Sequence, residues 1–164
     1  MQMAQPRPAD QLRMVDTVNR RLGTTEEWVE RFASLWARGA ECRDDFTSLL
    51  SRRVRLVAPG LAPTEGWEEG QRAFSRAFDA LPDLTAEVRS WAVRDDILFL
   101  ELRFSATIGG KAIEWPAVDR FRFEKGEAVE RVSHFDRTQI RKTYLSSIGG
   151  LIQLWRMRRI REKN

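Results

Sequence analysis

The stretch that most constrains this chain runs from Ala112 to Asp136, AIEWPAVDRFRFEKGEAVERVSHFD. Its first arm alternates. Ile113, Trp115, Ala117, Phe121 and Phe123 fall on one side, and Glu114, Arg120 and Arg122 on the other. Successive side chains of a β-strand point to opposite faces, so the pattern predicts a half-buried strand. Lys125-Gly126 predicts a tight turn, after which a second arm returns through Val132, His134 and Phe135. Asp119 breaks the chemistry of its side by sitting between Ala117 and Phe121. A carboxyl group among aromatic rings costs free energy unless it is paired, protonated or put to use.

The residues before this stretch divide into a helical half and a strand half. Asp10 to Arg21 predicts a first helix, with Leu12, Val15, Val18 and Leu22 on one face. Thr24-Thr25 followed by Glu26-Glu27 resembles a capping start, and Trp28, Phe32, Leu35 and Trp36 then form a helical stripe that Gly39 closes. Phe46, Leu49 and Leu50 predict a short helix from about Glu41 to Arg52, followed by a short strand over Val54 to Val57. Leu61 to Gly66 is expected to be a loop, and Trp67 to Leu81 a helix stopped by Pro82. From there the period changes to two. Thr85 to Val93 alternates loosely, Arg94-Asp95-Asp96 turns, and Leu98, Leu100, Leu102, Phe104, Ala106 and Ile108 make a clean strand face up to Gly109-Gly110-Lys111.

Helices followed by at least four antiparallel strands imply an α+β domain. The expected architecture is a set of N-terminal helices packed on a strongly curved antiparallel sheet, forming a cone with an internal pocket. The expected boundaries are a disordered N-terminus over 1–9, one domain over 10–147 whose first helix is 10–22, and a basic amphipathic C-terminal helix over 148–164.

Composition narrows the function classes. Six Trp and nine Phe against one Tyr suit either a packed core or a lined cavity for an apolar ligand. Cys42 is the lone cysteine, so a disulfide framework and a cysteine zinc site are excluded, and a reducing cytoplasm fits. No His/Cys/Asp/Glu set has metal-ligand spacing and no Gly-rich loop follows a strand, so neither metal nor nucleotide cofactor is expected. No run is apolar enough to span a membrane, and the start lacks the apolar core of a signal peptide. The formal charge of +4 belongs to the tail: from Leu151 onward there are five basic residues and one acid, while the other 150 residues carry 23 of each sign. A nucleic-acid-binding body is therefore not expected. Ile148, Leu151, Ile152, Leu154, Trp155, Met157 and Ile160 beside Arg156, Arg159 and Lys163 make an amphipathic tail. It suits packing on the domain or on a partner subunit, or contact with an anionic membrane surface.

The order of elements, the strand Trp115 to Phe123, the turn Lys125-Gly126-Glu127 and the closing Ser133-His134-Phe135-Asp136 resemble the SnoaL-like proteins of the nuclear transport factor 2-like superfamily. The resemblance covers roughly Thr25 to Arg141. It implies a cofactor-free pocket, a homodimer joined through the outer sheet face, and acid/base chemistry (cyclisation, isomerisation or dehydration) on a small hydrophobic metabolite. A non-catalytic binding or interaction module of the same fold is the alternative it allows. SnoaL-type cyclases use a pocket aspartate as general acid/base, and Asp119 lies at that position. The general base and oxyanion-hole tyrosine of ketosteroid isomerase would fall at Ala58 and near Phe32, and neither residue does that chemistry. The aspartates of limonene-epoxide hydrolase would fall near Ser133 and Phe104.

The candidate catalytic residues are therefore Asp119 and His134, the only histidine. With a plain two-residue turn, Phe123 pairs with Ala128 and Asp119 with Val132, and His134 joins the side of Asp119. A one-residue bulge sends it to the outer face instead. If Asp119 is structural, it is expected to pair with Arg103 or His134 or to hydrogen-bond to backbone. The candidate substrate-binding residues are Trp28, Phe32, Arg103, Trp115 and Phe121. Arg103 serves either a ligand oxygen or an outer-face salt bridge with Glu101 or a partner subunit, and Glu65 reads as a solvated loop acid.

Overall fold

The structure, a computed structural model, describes residues 24–146, 149, 150 and 152. The expected N-terminal segment and first helix, and nearly all of the tail helix, lie outside the described residues. Helix α1 spans 24–38. Two 3-10 turns follow, Gly39–Cys42 and Phe46–Leu49. Next come β1 (Leu50–Val57), β2 (Thr64–Glu65), α2 (Gly66–Ala80), β3 (Thr85–Arg94), β4 (Ile97–Ile108), β5 (Lys111–Glu124), β6 (Glu127–His134) and α3 (Arg137–Leu145). No helix among the described residues is long and apolar enough to cross a membrane.

The six strands form one sheet in the order β2-β1-β6-β5-β4-β3. The expected meander β3 to β6 is present. Its three turns each have two residues, since Arg94 pairs with Ile97, Ile108 with Lys111 and Glu124 with Glu127. Positive φ at both Gly109 and Gly110, and at both Lys125 and Gly126, matches the twist that such hairpins require. The alternation in β4 is fully realised, with Leu98, Leu100, Leu102, Phe104, Ala106 and Ile108 all buried.

Two expectations are corrected. The helix expected from Glu41 to Arg52 is absent: the chain there makes two short 3-10 turns and enters β1 at Leu50. Phe46, Leu49 and Leu50 are all buried, so their apolar spacing served packing and not a continuous helix. The sheet is also not wholly antiparallel, because β1 pairs with β6 in parallel. That ladder shifts between Leu50 and Arg55. Two indoles meet carbonyls at the irregular end: Trp28 Nε1 donates to Leu49 O at 3.1 Å and Trp67 Nε1 to Leu50 O at 2.9 Å. Carbonyls next to a broken ladder would otherwise be buried without partners.

The core lies between the inner face of the sheet and helices α1 and α2. Trp36 meets Phe104 of β4 edge-on at 5.0 Å and Phe74 and Phe78 of α2 at 6.3 and 6.1 Å. Phe46 stacks on Phe74 at 4.9 Å. Gly39 lets α1 end there. Its φ is +57°, and a Cβ would lie 2.4 Å from the Leu84 backbone oxygen. Gly39→Ala should therefore lower stability by roughly 2 kcal/mol through left-handed strain and the forced shift of Leu84. Urea denaturation checks this, and an unchanged midpoint would contradict the close approach.

Candidate functional site

Asp119 sits on the inner face of β5 and is 0% exposed. Its partner is Arg131 of β6: Nε donates to Asp119 Oδ2 at 2.8 Å, and Nη2 lies 2.6 Å from the same oxygen. Arg131 is itself only 7% exposed. Rings surround its guanidinium, whose carbon lies 5.3 Å from the Trp36 centroid, 5.6 Å from Phe32, 5.7 Å from Phe74 and 5.8 Å from Phe121. A guanidinium is weakly hydrated and flat, so it stacks on aromatic faces where an ammonium would lose more hydration. The other carboxylate oxygen, Oδ1, is buried and has no hydrogen-bond partner.

A bulge creates this pairing. Phe123 pairs with Ala128, yet Arg122 pairs with Glu130, so Val129 is the extra residue of β6. From there onward the parity of β6 is reversed. Arg131 and Ser133 face inward and are buried, with Ser133 directly opposite Asp119. His134 pairs with Val118 on the outer face and is exposed. It therefore does not meet Asp119, and of the two registers open to the sequence the bulged one is realised. The adjacent apolar pair Ala128-Val129, both buried, marks the change of parity.

The remaining candidates divide by face. Arg103 projects from the outer side of β4, with Nη1 3.5 Å from Glu114 Oε2. It is not near Asp119, and its outer-face salt bridge is to Glu114 and not to Glu101. Trp28 stacks on Phe32 at 5.2 Å and meets Phe121 edge-on at 4.8 Å. Phe121, 0% exposed, also meets Phe32 edge-on at 5.3 Å. Trp115 is buried and stacks on Phe104 at 5.5 Å. Phe32, Trp115 and Phe121 thus belong to the packed interior, with Trp28 half-buried at its edge. Beyond Phe121, a cleft of about 700 Å³ opens where the start of α1 meets the β3–β4 and β5–β6 turns. Trp28, Val93, Leu98 and Phe123 supply its apolar lining, and Asp95, Asp96 and Lys125 its charges. Glu65 is exposed, 3.9 Å from Arg55. No group of three His, Cys, Asp or Glu side chains that could hold a metal ion occurs among the described residues.

The model of the SnoaL-like domain matches residues 29–131, well over half of the chain. The chain belongs to the SnoaL-like domain family. Among solved structures, the fold is similar to a provisionally assigned SnoaL-like polyketide cyclase from Jannaschia sp. CCS1. That match has 19% identity and a TM-score of 0.65, covering 74% of this chain and 91% of that one. TerC, co-crystallised with polyporic acid, is 16% identical at a TM-score of 0.64, covering 73% of this chain and 97% of that one. A protein of ketosteroid isomerase-like fold from Catenulispora acidiphila, in complex with trimethylamine, is 15% identical at 0.61, covering 67% and 85%. At these identities the likeness is one of fold. No functionally curated protein matches the chain. The SnoaL-like match ends at Arg131, the partner of Asp119.

Removing either member of the buried pair leaves a buried charge, whereas replacing both removes the cost as well as the attraction. Asp119→Leu and Arg131→Met should each lower stability by about 3–5 kcal/mol, and the double variant by far less than the sum. A double-mutant cycle in urea measures the coupling. Additive losses would mean that the two charges are stabilised independently.

Proposed function

We propose that this SnoaL-like protein performs cofactor-independent proton-transfer chemistry on a small hydrophobic metabolite, with Asp119 as the acid/base group. The observation that carries this reading is the split between the two carboxylate oxygens. Oδ2 is held by Arg131, while Oδ1 is buried without a partner. A fixed carboxylate with one uncommitted oxygen in a water-poor site has the makings of a general base. Oδ1 would take a proton from the carbon next to a carbonyl. The C–H electron pair would become the enolate π bond, and negative charge would develop on the carbonyl oxygen, where Arg131 is the available cation. Return of the proton at another atom completes an isomerisation, and attack of the enolate on a second carbonyl completes a cyclisation. The polyketide cyclase name of one structural relative, and the polyporic acid and trimethylamine that accompany two others, support a small organic ligand. Trp28, Phe32, Trp115 and Phe121 would shape the site.

A second reading has its own observation. Asp119 is capped by an arginine and wholly buried, which suits a binding module that keeps the pair as a structural element. Deuterium exchange separates the two. In D2O the wild type should exchange the α-protons of 1-tetralone about 10²-fold or more faster than buffer, the scale of general acid–base catalysis. The charge-neutral pair Asp119→Asn/Arg131→Gln leaves no isolated charge behind and should lose that acceleration. Equal exchange by wild type and variant would sink the catalytic role and leave the module.

We also assign the outer sheet face to a homodimer. Val118 and Phe99 are 41% and 40% exposed and lie diagonally across the β5–β4 ladder, beside His134. Around them the charges alternate in sign, with Arg120 bonded to Glu130 and Arg103 beside Glu114. An apolar centre with both signs at its rim is self-complementary about a two-fold axis. Val118→Asp should convert a dimer to a monomer in light scattering with the fold retained. A wild type that is already monomeric at 100 μM, a concentration of the order of weak-dimer constants, would end the assignment.

A further inference from the structure

Two buried polar groups beside the Arg131 guanidinium lack partners among the described residues. Asp119 Oδ1 is an acceptor without a donor, in a side chain that is 0% exposed. Trp36 Nε1 is a donor without an acceptor, in a side chain that is 3% exposed, and the Trp36 ring lies 5.3 Å from the guanidinium carbon. Arg131 Nε donates to Asp119 Oδ2, and Nη2 lies 2.6 Å from the same oxygen. An arginine and a carboxylate left to themselves prefer two parallel bonds, one to each oxygen. Here both nitrogens lie against Oδ2. Two other indoles that pack on this core are satisfied, Trp28 by Leu49 O and Trp67 by Leu50 O. Buried polar groups are nearly always paired, and one that is not asks for a ligand or a role.

We propose that these groups read a hydroxy-carbonyl edge on the ligand. The carbonyl oxygen accepts from Trp36 Nε1 beside the Arg131 guanidinium, and the adjacent hydroxyl donates to Asp119 Oδ1. One edge with an acceptor beside a donor satisfies the orphaned donor and the orphaned acceptor at once. A plain ketone leaves Asp119 Oδ1 alone, and a carboxylate would set a second anion against it. The substrate class is then a hydrophobic α-hydroxy ketone whose apolar body lies toward the Trp28–Leu98–Phe123 cleft, one ring beyond Phe121. This rests on the proposed reading of Asp119 and adds Trp36 as a residue that sets specificity.

The test is calorimetric titration of the full-length protein with 2-hydroxy-1-tetralone, its methyl ether and 1-tetralone. A site built to bond a hydroxyl rejects the analogue that lacks it, because its own polar group stays unpaired. The hydroxy ketone should bind at least tenfold more tightly than either analogue. Trp36→Phe, checked for native circular dichroism, should weaken hydroxy-ketone binding about tenfold and leave the ratio to the methyl ether unchanged, since that ratio belongs to Asp119. Trp67→Phe, which removes an indole already bonded to backbone, should leave affinity unchanged. Equal affinity for the three compounds, no measurable binding of any of them, or full affinity in Trp36→Phe overturns the proposal. Its failure is separable from failure of the acid/base reading. Equal binding with α-proton exchange lost in Asp119→Asn/Arg131→Gln removes the recognition and keeps the base. Hydroxyl preference with exchange retained in that variant does the reverse.

Discussion

The buried pair of Asp119 and Arg131 is the interaction on which the rest of the structure depends, because it decides the register of the last two strands. A strand has period two, so a slip of one residue exchanges every side chain between faces. In the slipped alternative β6 would send Glu130, Val132 and His134 inward. Glu130 would then enter the aromatic core on the same face as Asp119, two carboxylates without a cation. In the observed register, Arg131 meets Asp119 while Glu130 stays outside with Arg120 and Arg55. Buried ion pairs contribute little net stability, and their best-attested use is to select one arrangement over another. The Val129 bulge is the geometric means and the charge match is the energetic reason.

The same pair also organises the helices. Four rings close on the guanidinium, and they come from three elements: Phe32 and Trp36 from α1, Phe74 from α2 and Phe121 from β5. A cation stacked against aromatic faces attracts all of them, so one inward-facing arginine ties both helices to the sheet. The arrangement keeps water from Asp119. Whatever Asp119 does chemically, it does in a setting where Arg131 supplies the local positive charge and a stray hydrogen-bonding group finds few alternatives.

Much of this was legible in the sequence, and the failures have physical causes. Alternation alone located β4, β5 and their turns, because a sheet with one buried face imposes period two on its residues. It also singled out Asp119 as an acid on the wrong side. The chain over Glu41 to Arg52 misled because Phe46, Leu49 and Leu50 have helical spacing, yet they are buried by two 3-10 turns and the start of a strand. The parallel pairing of β1 with β6 joins residues such as Arg55 and Glu130 that no local pattern connects. Arg131 was passed over for a subtler reason. An unbroken alternation through β6 put it outside, and only the doubled apolar step at Ala128-Val129 showed that the parity changes before it is reached. The site's basic member was hidden by one residue of strand geometry, not by weak chemistry.

The parallel placement of β1 has a consequence for how the molecule assembles. Strands β3 to β6 are joined by two-residue turns, so their pairing closes short loops and loses little chain entropy. β1 must wait for a partner strand that lies across α2 and the whole meander, and its ladder is interrupted between Leu50 and Arg55. Contact order therefore makes β1 the expected last arrival and the first to leave. Amide hydrogen exchange is expected to find the slowest protons in β4 and β5 and much faster ones in β1. Since β1 borders Arg131 through β6, the lifetime of that one edge sets how long the charged core stays covered.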